Sequence, residues 1–194
     1  MNKADLIRFE REVADRFERK QIPGPIHLSG GDEDQLIEIF KGIKPTDWVF
    51  STWRSHYHAL LHGIPEDKVM AEIMAGRSMN LMFPEYNFFT SAIVGGILPI
   101  AVGVAYANKL QGTDQKVWCF IGDMTATTGI FHETRTYAAR HDLPLMVYVE
   151  SNGYSTNTPT EEAWGGRFMY RHNVETRCYD RVYPHCGIGK WVDF

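Results

Sequence analysis

Two apolar runs, residues 116–121 (KVWCFI) and 145–149 (LMVYV), constrain the fold of this chain more than any other feature. Strands that are apolar throughout, rather than at every second residue, belong in a sheet covered on both faces, and such sheets are largely parallel. A parallel pair needs a long crossover, and residues 128–141 have the length and character of the helix that supplies it. The expected fold is therefore α/β, a mostly parallel sheet flanked by helices on both faces. In that layout Gly122-Asp123 and Ser151-Asn152-Gly153-Tyr154 fall just past the carboxyl ends of two strands. Open α/β sheets bind their ligands there.

The rest of the chain supplies covering elements. Leu6, Phe9, Val13 and Phe17 recur at intervals of three and four and predict a helix over residues 3–20. The run Pro23-Gly24-Pro25 ends it. A second helix is expected over 33–42, a short strand at Trp48-Val49-Phe50, and a helix opened by Pro65-Glu66-Asp67 that runs to about Gly76. Residues 77–92 show no period and read as a long loop, a kind of segment that is often functional. Residues 93–110 are apolar and rich in glycine and alanine, which suits a helix packed deep against the sheet or at a subunit interface. No linker divides the chain, so residues 1–194 are expected to form one domain, with an amino-terminal helical segment of about residues 1–45 packed on it.

Charge and cysteine content narrow the function. A formal charge of −4 with both signs interspersed gives no surface for nucleic acid or an anionic membrane. No stretch reaches the roughly 18 apolar residues of a membrane span. The first twenty residues resemble neither a secretory signal nor a transit peptide. Cys119, Cys178 and Cys186 form no disulfide framework or CxxC pair. These features predict a cytoplasmic chain that handles a small molecule or a protein partner.

The chemistry concentrates between residues 122 and 154. Magnesium favours oxygen ligands and is commonly held by one or two protein groups together with ligand phosphates. Asp123 offers a carboxylate, Asn152 an amide oxygen and Tyr154 a backbone carbonyl. If the turn after Asp123 opens a helix, its free N–H groups face an anion. Taken locally, Gly122-Asp123 is equally a strand-to-helix turn in which Asp caps the helix, and Asn152-Gly153 is equally a tight turn.

The wider pattern is more specific. The stretch GDMTATTGIFHETRTYAARHDLPLMVYVESNGYS resembles the thiamine-diphosphate motif, in which Gly-Asp-Gly is followed after a similar interval by Asn-Asn. It is most similar to the alpha subunits of the 2-oxo-acid dehydrogenases of the pyruvate, branched-chain and acetoin types. His27-Leu28-Ser29 and Gly31-Asp32-Glu33 stand where that family has His and Gly-Gln-Glu. Gly42-Ile43-Lys44-Pro45-Thr46-Asp47 matches Gly-Ile-x-Pro-x-Asp, Trp53-Arg54-Ser55-His56 matches Tyr-Arg-x-His, and Ile93-Val94-Gly95 with Pro99 matches Ile-Val-Gly-x-x-x-Pro. The resemblance implies thiamine diphosphate and Mg²⁺ as cofactors, with Asp123, Asn152 and the Tyr154 carbonyl on the metal. Gly122, Met124, Thr125 and Arg54 would lie at the diphosphate, Trp53 and the Ala92-Ile93-Val94 backbone along the aminopyrimidine, and His56 at the reacting end. It also implies a beta-type subunit in an α₂β₂ heterotetramer, which supplies the glutamate that activates the cofactor. A 2-oxo acid or ketone is the implied substrate, and an acyl-carrier protein a further implied partner.

Several positions depart from the family. Met124 replaces the last glycine of Gly-Asp-Gly, Ser151 replaces the first Asn of the pair, and Ser78-Met79-Asn80 stands in for Ser-Met-His. Only a short tail follows Tyr154, in which residues 174–183 read as a final strand, and Arg181 and His185 stand in for an Arg and a His of the longer family pattern. Three readings follow. The first is the cofactor-anchoring subunit of a 2-oxo-acid decarboxylating or ketone-cleaving enzyme. The others are a split transketolase-like or carboligating subunit, and a non-catalytic structural homologue.

Overall fold

The computed structural model describes residues 1–165 and 174–189. Six strands form one sheet in the order β2-β3-β1-β4-β5-β8. They are β1 (Trp48–Ser51), β2 (Met82–Phe83), β3 (Phe88–Thr90), β4 (Val117–Gly122), β5 (Leu145–Ser151) and β8 (Val174–Cys178), while β6 (Tyr154–Ser155) and β7 (Thr158–Pro159) make a separate hairpin. All neighbouring pairs in the large sheet are parallel except β2 with β3. The two apolar runs of the sequence are β4 and β5, paired from Val117↔Leu145 to Gly122↔Glu150.

Helices cover both faces, as the apolar runs require. On one side α1 (Lys3–Glu18), α2 (Glu33–Phe40), α3 (His56–Leu61) and α4 (Glu66–Met74) pack over Val49, Trp118, Phe120 and Tyr148. On the other, α5 (Ile97–Gln111) and α6 (Gly129–Arg140) cover Phe50, Val117, Cys119, Ile121, Val147 and Val149. Successive residues of β4 thus enter opposite cores, which is the period of two of a pleated strand. The helix α1 starts at a capping box between Asn2 and Asp5 and buries Leu6, Phe9 and Val13. Asp47, 1 % exposed, ties β1 to β4. Its carboxylate accepts from Lys116 N–H at 3.0 Å and from the Trp118 indole at 2.9 Å.

Two local expectations need correcting. Residues 77–92 are not a plain loop, because β2 and β3 lie within them and β3 extends the sheet beside β1. Strands of two and three residues are too short to leave a period in the sequence. The apolar helix starts at Ile97 rather than at residue 93, after a turn in which Gly95 has φ +75° and sits where a Cβ would strike Ile130 of α6. Along α5, Ala101 and Ala105 are sealed against the sheet, while Ile100 and Leu110 face outward. The short helix α7 (Thr160–Trp164) follows the hairpin. No helix among the described residues is long and apolar enough to cross a membrane.

Candidate active-site cleft

The carboxyl ends of β1, β4, β5 and β8 open onto one cleft with about 80 Å³ of water-accessible space. Thr52, Trp53 and Arg54 come from the end of β1, and Gly122, Asp123, Met124 and Thr125 from the end of β4. Glu150 and Asn152 come from the end of β5, Tyr154 from the start of β6 just beyond it, and Tyr179, Arg181 and His185 from the segment after β8. Four parallel strands therefore deliver their following residues to one place, as the topology dictates.

Asp123 forms the floor at 2 % exposure. Its Oδ1 accepts from Met124 N–H at 2.8 Å and its Oδ2 from Gly153 N–H at 2.9 Å, which fixes the carboxylate between the two strand ends. The Ser151 hydroxyl lies 3.4 Å from the same Oδ2. Asn152 accepts from Tyr154 N–H at 3.0 Å through Oδ1 and donates from Nδ2 to the Tyr179 hydroxyl at 3.4 Å. A Cβ on Gly122 would meet nothing within 4 Å, so the space in front of the strand end is open. Carboxylate, amide and carbonyl oxygens form a hard donor set suited to magnesium or calcium. Among the described residues no group of three His, Cys, Asp or Glu could hold a metal.

Two cations face this floor. Arg54 donates to the carbonyls of Leu28 and, at 3.4 Å, His185. Arg181 donates to the Thr156 carbonyl at 2.8 Å, with its guanidinium 4.3 Å from the centre of the Tyr154 ring. Burial lowers the pKa of Arg181, and Arg54 pushes it the same way. Beyond them, the rings of His27 and His185 lie 4.6 Å apart, with Trp53 6.0 Å from His27. The His27 Nδ1–H donates to the His185 carbonyl at 2.5 Å. Burial brings His27 down to about 3 and His185 to about 4, the latter helped by Arg54 and Arg181, so both imidazoles are neutral near pH 7.

Acidic groups lie behind the cleft. Asp32 is 2 % exposed and neither carboxylate oxygen has a hydrogen-bond partner. Burial holds its pKa well above the usual range, and Glu150, Glu10 and Glu33 push it further while Arg54 opposes. Glu150 reaches the cleft and has His58 Nε2 3.2 Å from its Oε1, a close polar contact without hydrogen-bond alignment.

Of the residues singled out in the sequence, Trp53, Arg54, Val94, Gly122, Asp123, Met124, Thr125, Asn152 and Tyr154 line the cleft. His56 does not. It is fully buried at the start of α3, with Nε2 2.9 Å from the Ser78 hydroxyl and Nδ1 3.4 Å from Glu10. The turn into α3 directs it to the core, away from the cleft reached by Trp53 and Arg54. Ile93 is 73 % exposed, and Ala92 gives its N–H to Asn80 Oδ1 at 3.3 Å, so Asn80 braces this backbone. The turn after Asp123 does not open α6 directly, because a 3₁₀ turn (Thr125–Thr127) intervenes. Met124 sits at φ −74°, ψ −23°, ordinary backbone that calls for no glycine. Glu150 and Tyr179 were not anticipated in the sequence. Glu150 directly follows the apolar run 145–149 without a motif of its own, and Tyr179 gains its place only through the pairing of β8 with β5.

A largely parallel α/β sheet whose strand ends bring carboxylate, amide and guanidinium groups into one cleft defines the class of open α/β proteins with their site at the carboxyl ends of the strands. Within that class the chain belongs to the dehydrogenase E1 component family, whose model matches residues 1–173. It is 33 % identical over 165 residues to the alpha subunit of acetoin:2,6-dichlorophenolindophenol oxidoreductase from Bacillus subtilis, covering 80 % of this chain and 50 % of that one. It is 30 % identical over 176 residues to the pyruvate dehydrogenase E1 component subunit alpha from Rickettsia bellii, covering 86 % and 54 %. The Zymomonas mobilis protein of the same name is 30 % identical over 169 residues, covering 81 % and 48 %. The chain thus spans about half the length of the curated relatives it matches.

Proposed function

We propose that the chain is the cofactor-anchoring, alpha-type subunit of a two-subunit enzyme that uses thiamine diphosphate and Mg²⁺. The reaction is decarboxylation of a 2-oxo acid with transfer of the acyl group, or cleavage of a related ketone. The observation that carries this reading is the meeting of Asp123 and Asn152 with Arg54 and Arg181 at four parallel strand ends. A diphosphate with its cation needs oxygen ligands on one side and guanidinium donors on the other.

In this reading Asp123, Asn152 Oδ1 and the Tyr154 carbonyl would hold the cation. Arg54, Arg181, Thr125 and the backbone of Gly122 and Met124 would meet the diphosphate. Trp53 and the stretch Ala92-Ile93-Val94 would flank the aminopyrimidine. Thiamine diphosphate, when bound, supplies the electron sink for chemistry at a carbonyl carbon. The chain's own residues anchor the ligand, exclude water with Trp53 and Tyr179, and place the neutral His185 ring where its nitrogen can accept a hydrogen bond. His56, closed off by Ser78 and Glu10, acts on the packing behind Trp53 and Arg54 rather than on the ligand.

The alpha-subunit names of the relatives support a beta-type partner in an α₂β₂ assembly that completes the site, and an acyl-carrier protein is a further partner of such an enzyme. Exposed Ile93 and Val94 beside the cleft are apolar side chains that a partner would cover. One domain over residues 1–194, working in the cytoplasm with its three cysteines unpaired, completes the proposal. The test is calorimetric titration of thiamine diphosphate with Mg²⁺ into the chain, alone and with a co-encoded beta-type subunit. Metal-dependent binding supports the reading. No binding in either sample overturns it in favour of a structural homologue, and turnover without a partner overturns the two-subunit assignment.

A further inference from the structure

The proposed cation site makes a demand that Asp123 does not face. The two ends of an asparagine amide have nearly the same shape, yet only the oxygen can ligate a cation. Something must choose which end of Asn152 faces the cation. One contact is local: Tyr154 N–H donates to Oδ1 at 3.0 Å, an Asx-type turn that the chain makes with itself. The other comes from a different strand. Nδ2 donates to the Tyr179 hydroxyl at 3.4 Å, and since an amide nitrogen accepts no hydrogen bond the direction of this contact is fixed.

Tyr179 is well placed for that task. Its N–H donates to the Ser151 carbonyl at 3.0 Å, continuing the register in which Cys178 faces Ser151. The ring is 6 % exposed. We infer that Tyr179 is a positioning residue: Tyr154 N–H, a donor only, sets which end of the Asn152 amide is Oδ1, and the Tyr179 hydroxyl braces the other end against rotation, keeping that oxygen at the cation. The inference rests on the function proposed above, and it gives the residue that directly follows β8 a part in cation binding.

Tyr179→Phe in the full chain removes only the hydroxyl. Mn²⁺ binding in the presence of thiamine diphosphate, followed by electron paramagnetic resonance, should weaken about tenfold, the usual scale for losing an outer-shell partner. In an Asn152→Asp background, where oxygens occupy both positions, the same change should cost less than about twofold. Equal losses in the two backgrounds, or no loss in the parent, would overturn the inference. The side-chain NH₂ resonance of Asn152, read by ¹⁵N spectroscopy without cofactor, separates this outcome from failure of the functional reading. If the parent chain binds no Mn²⁺, the cofactor reading falls, and an amide signal unmoved by Tyr179→Phe overturns the positioning role while a displaced one upholds the contact.

Discussion

The wall of the cleft that carries Asp123 and Asn152 rests on continuous parallel pairing from Val117↔Leu145 to Gly122↔Glu150. The opposite wall, residues 179–187, is held by scattered contacts with residues 26–35 of the amino-terminal part. Val182 N–H donates to Gly30, Gly187 N–H to Ile26, and Gln35 to the Cys178 carbonyl. Arg54 bridges the two partners through Leu28 and His185. The proposed cation ligands Asp123 and Asn152 thus follow directly on a continuous ladder, while Tyr179, Arg181 and His185 sit on a strap held by scattered contacts. Cation affinity and the shape of the ligand end can therefore change independently.

The largest effect expected from breaking one wall alone is that of Asp123→Ala. It should lower metal-dependent cofactor affinity by about two orders of magnitude or more in calorimetry, since even outer-shell losses reach that scale. The melting temperature should fall as well, because Met124 and Gly153 N–H lose their acceptor, and unchanged affinity in the folded variant would remove Asp123 from the site. Breaking the other wall needs only a methyl group. Gly31 has φ +104° and a Cβ there would drive into the Asp180 carbonyl. Gly31→Ala should cost about 1–3 kcal/mol in thermal or denaturant unfolding. It should also open residues 179–189 to proteolysis, and a strap still protected in the variant would contradict the comparison.

A smaller effect is expected from pH. His27 and His185 have folded pKa values of about 3 and about 4, below the 6.5 of the free side chain. Between those values the unfolded chain binds more protons, so this contribution is complete above about pH 6.5 and is lost as the pH falls toward 4. Asp32 acts in the opposite sense, because its raised folded pKa makes stability fall as pH rises above the free value of 3.8. Stability of the parent and of His27→Gln, compared at pH 5 and 7.5, isolates the histidine part, and parallel profiles would refute it. The smallest effect is that of Met124→Gly. With no strain to relieve, cofactor affinity should change by less than about threefold, and a large gain would mean that the methionine obstructs the diphosphate.

The first wall was readable in the sequence because its causes are local. Apolar runs of 117–121 and 145–149 dictate covered parallel strands, and the polar residues that follow them fall at the strand ends by construction. The helix α1 was equally legible from its stripe of Leu6, Phe9 and Val13. The strap was not, because its contacts join residues more than a hundred positions apart and no periodic pattern records them. His56 shows a related limit. It lies two residues beyond Arg54, which reaches the cleft, but the start of α3 rotates it toward Glu10 and Ser78. Adjacency in the chain does not give direction once a helix begins.

The bridge between His27 and Gly187 also bears on the order in which the molecule is built. A contact that closes so long a loop forms late, since the chain must lose the entropy of closure before anything is gained. The β4–β5 unit with its α6 crossover can assemble before the strap docks, so the cation floor would exist ahead of the completed cleft. Substitutions at Val182 or Gly187 should then accelerate unfolding while leaving refolding rates nearly unchanged, a partition that stopped-flow kinetics reads directly. Refolding slowed in proportion to the lost stability would place the strap in the nucleus instead.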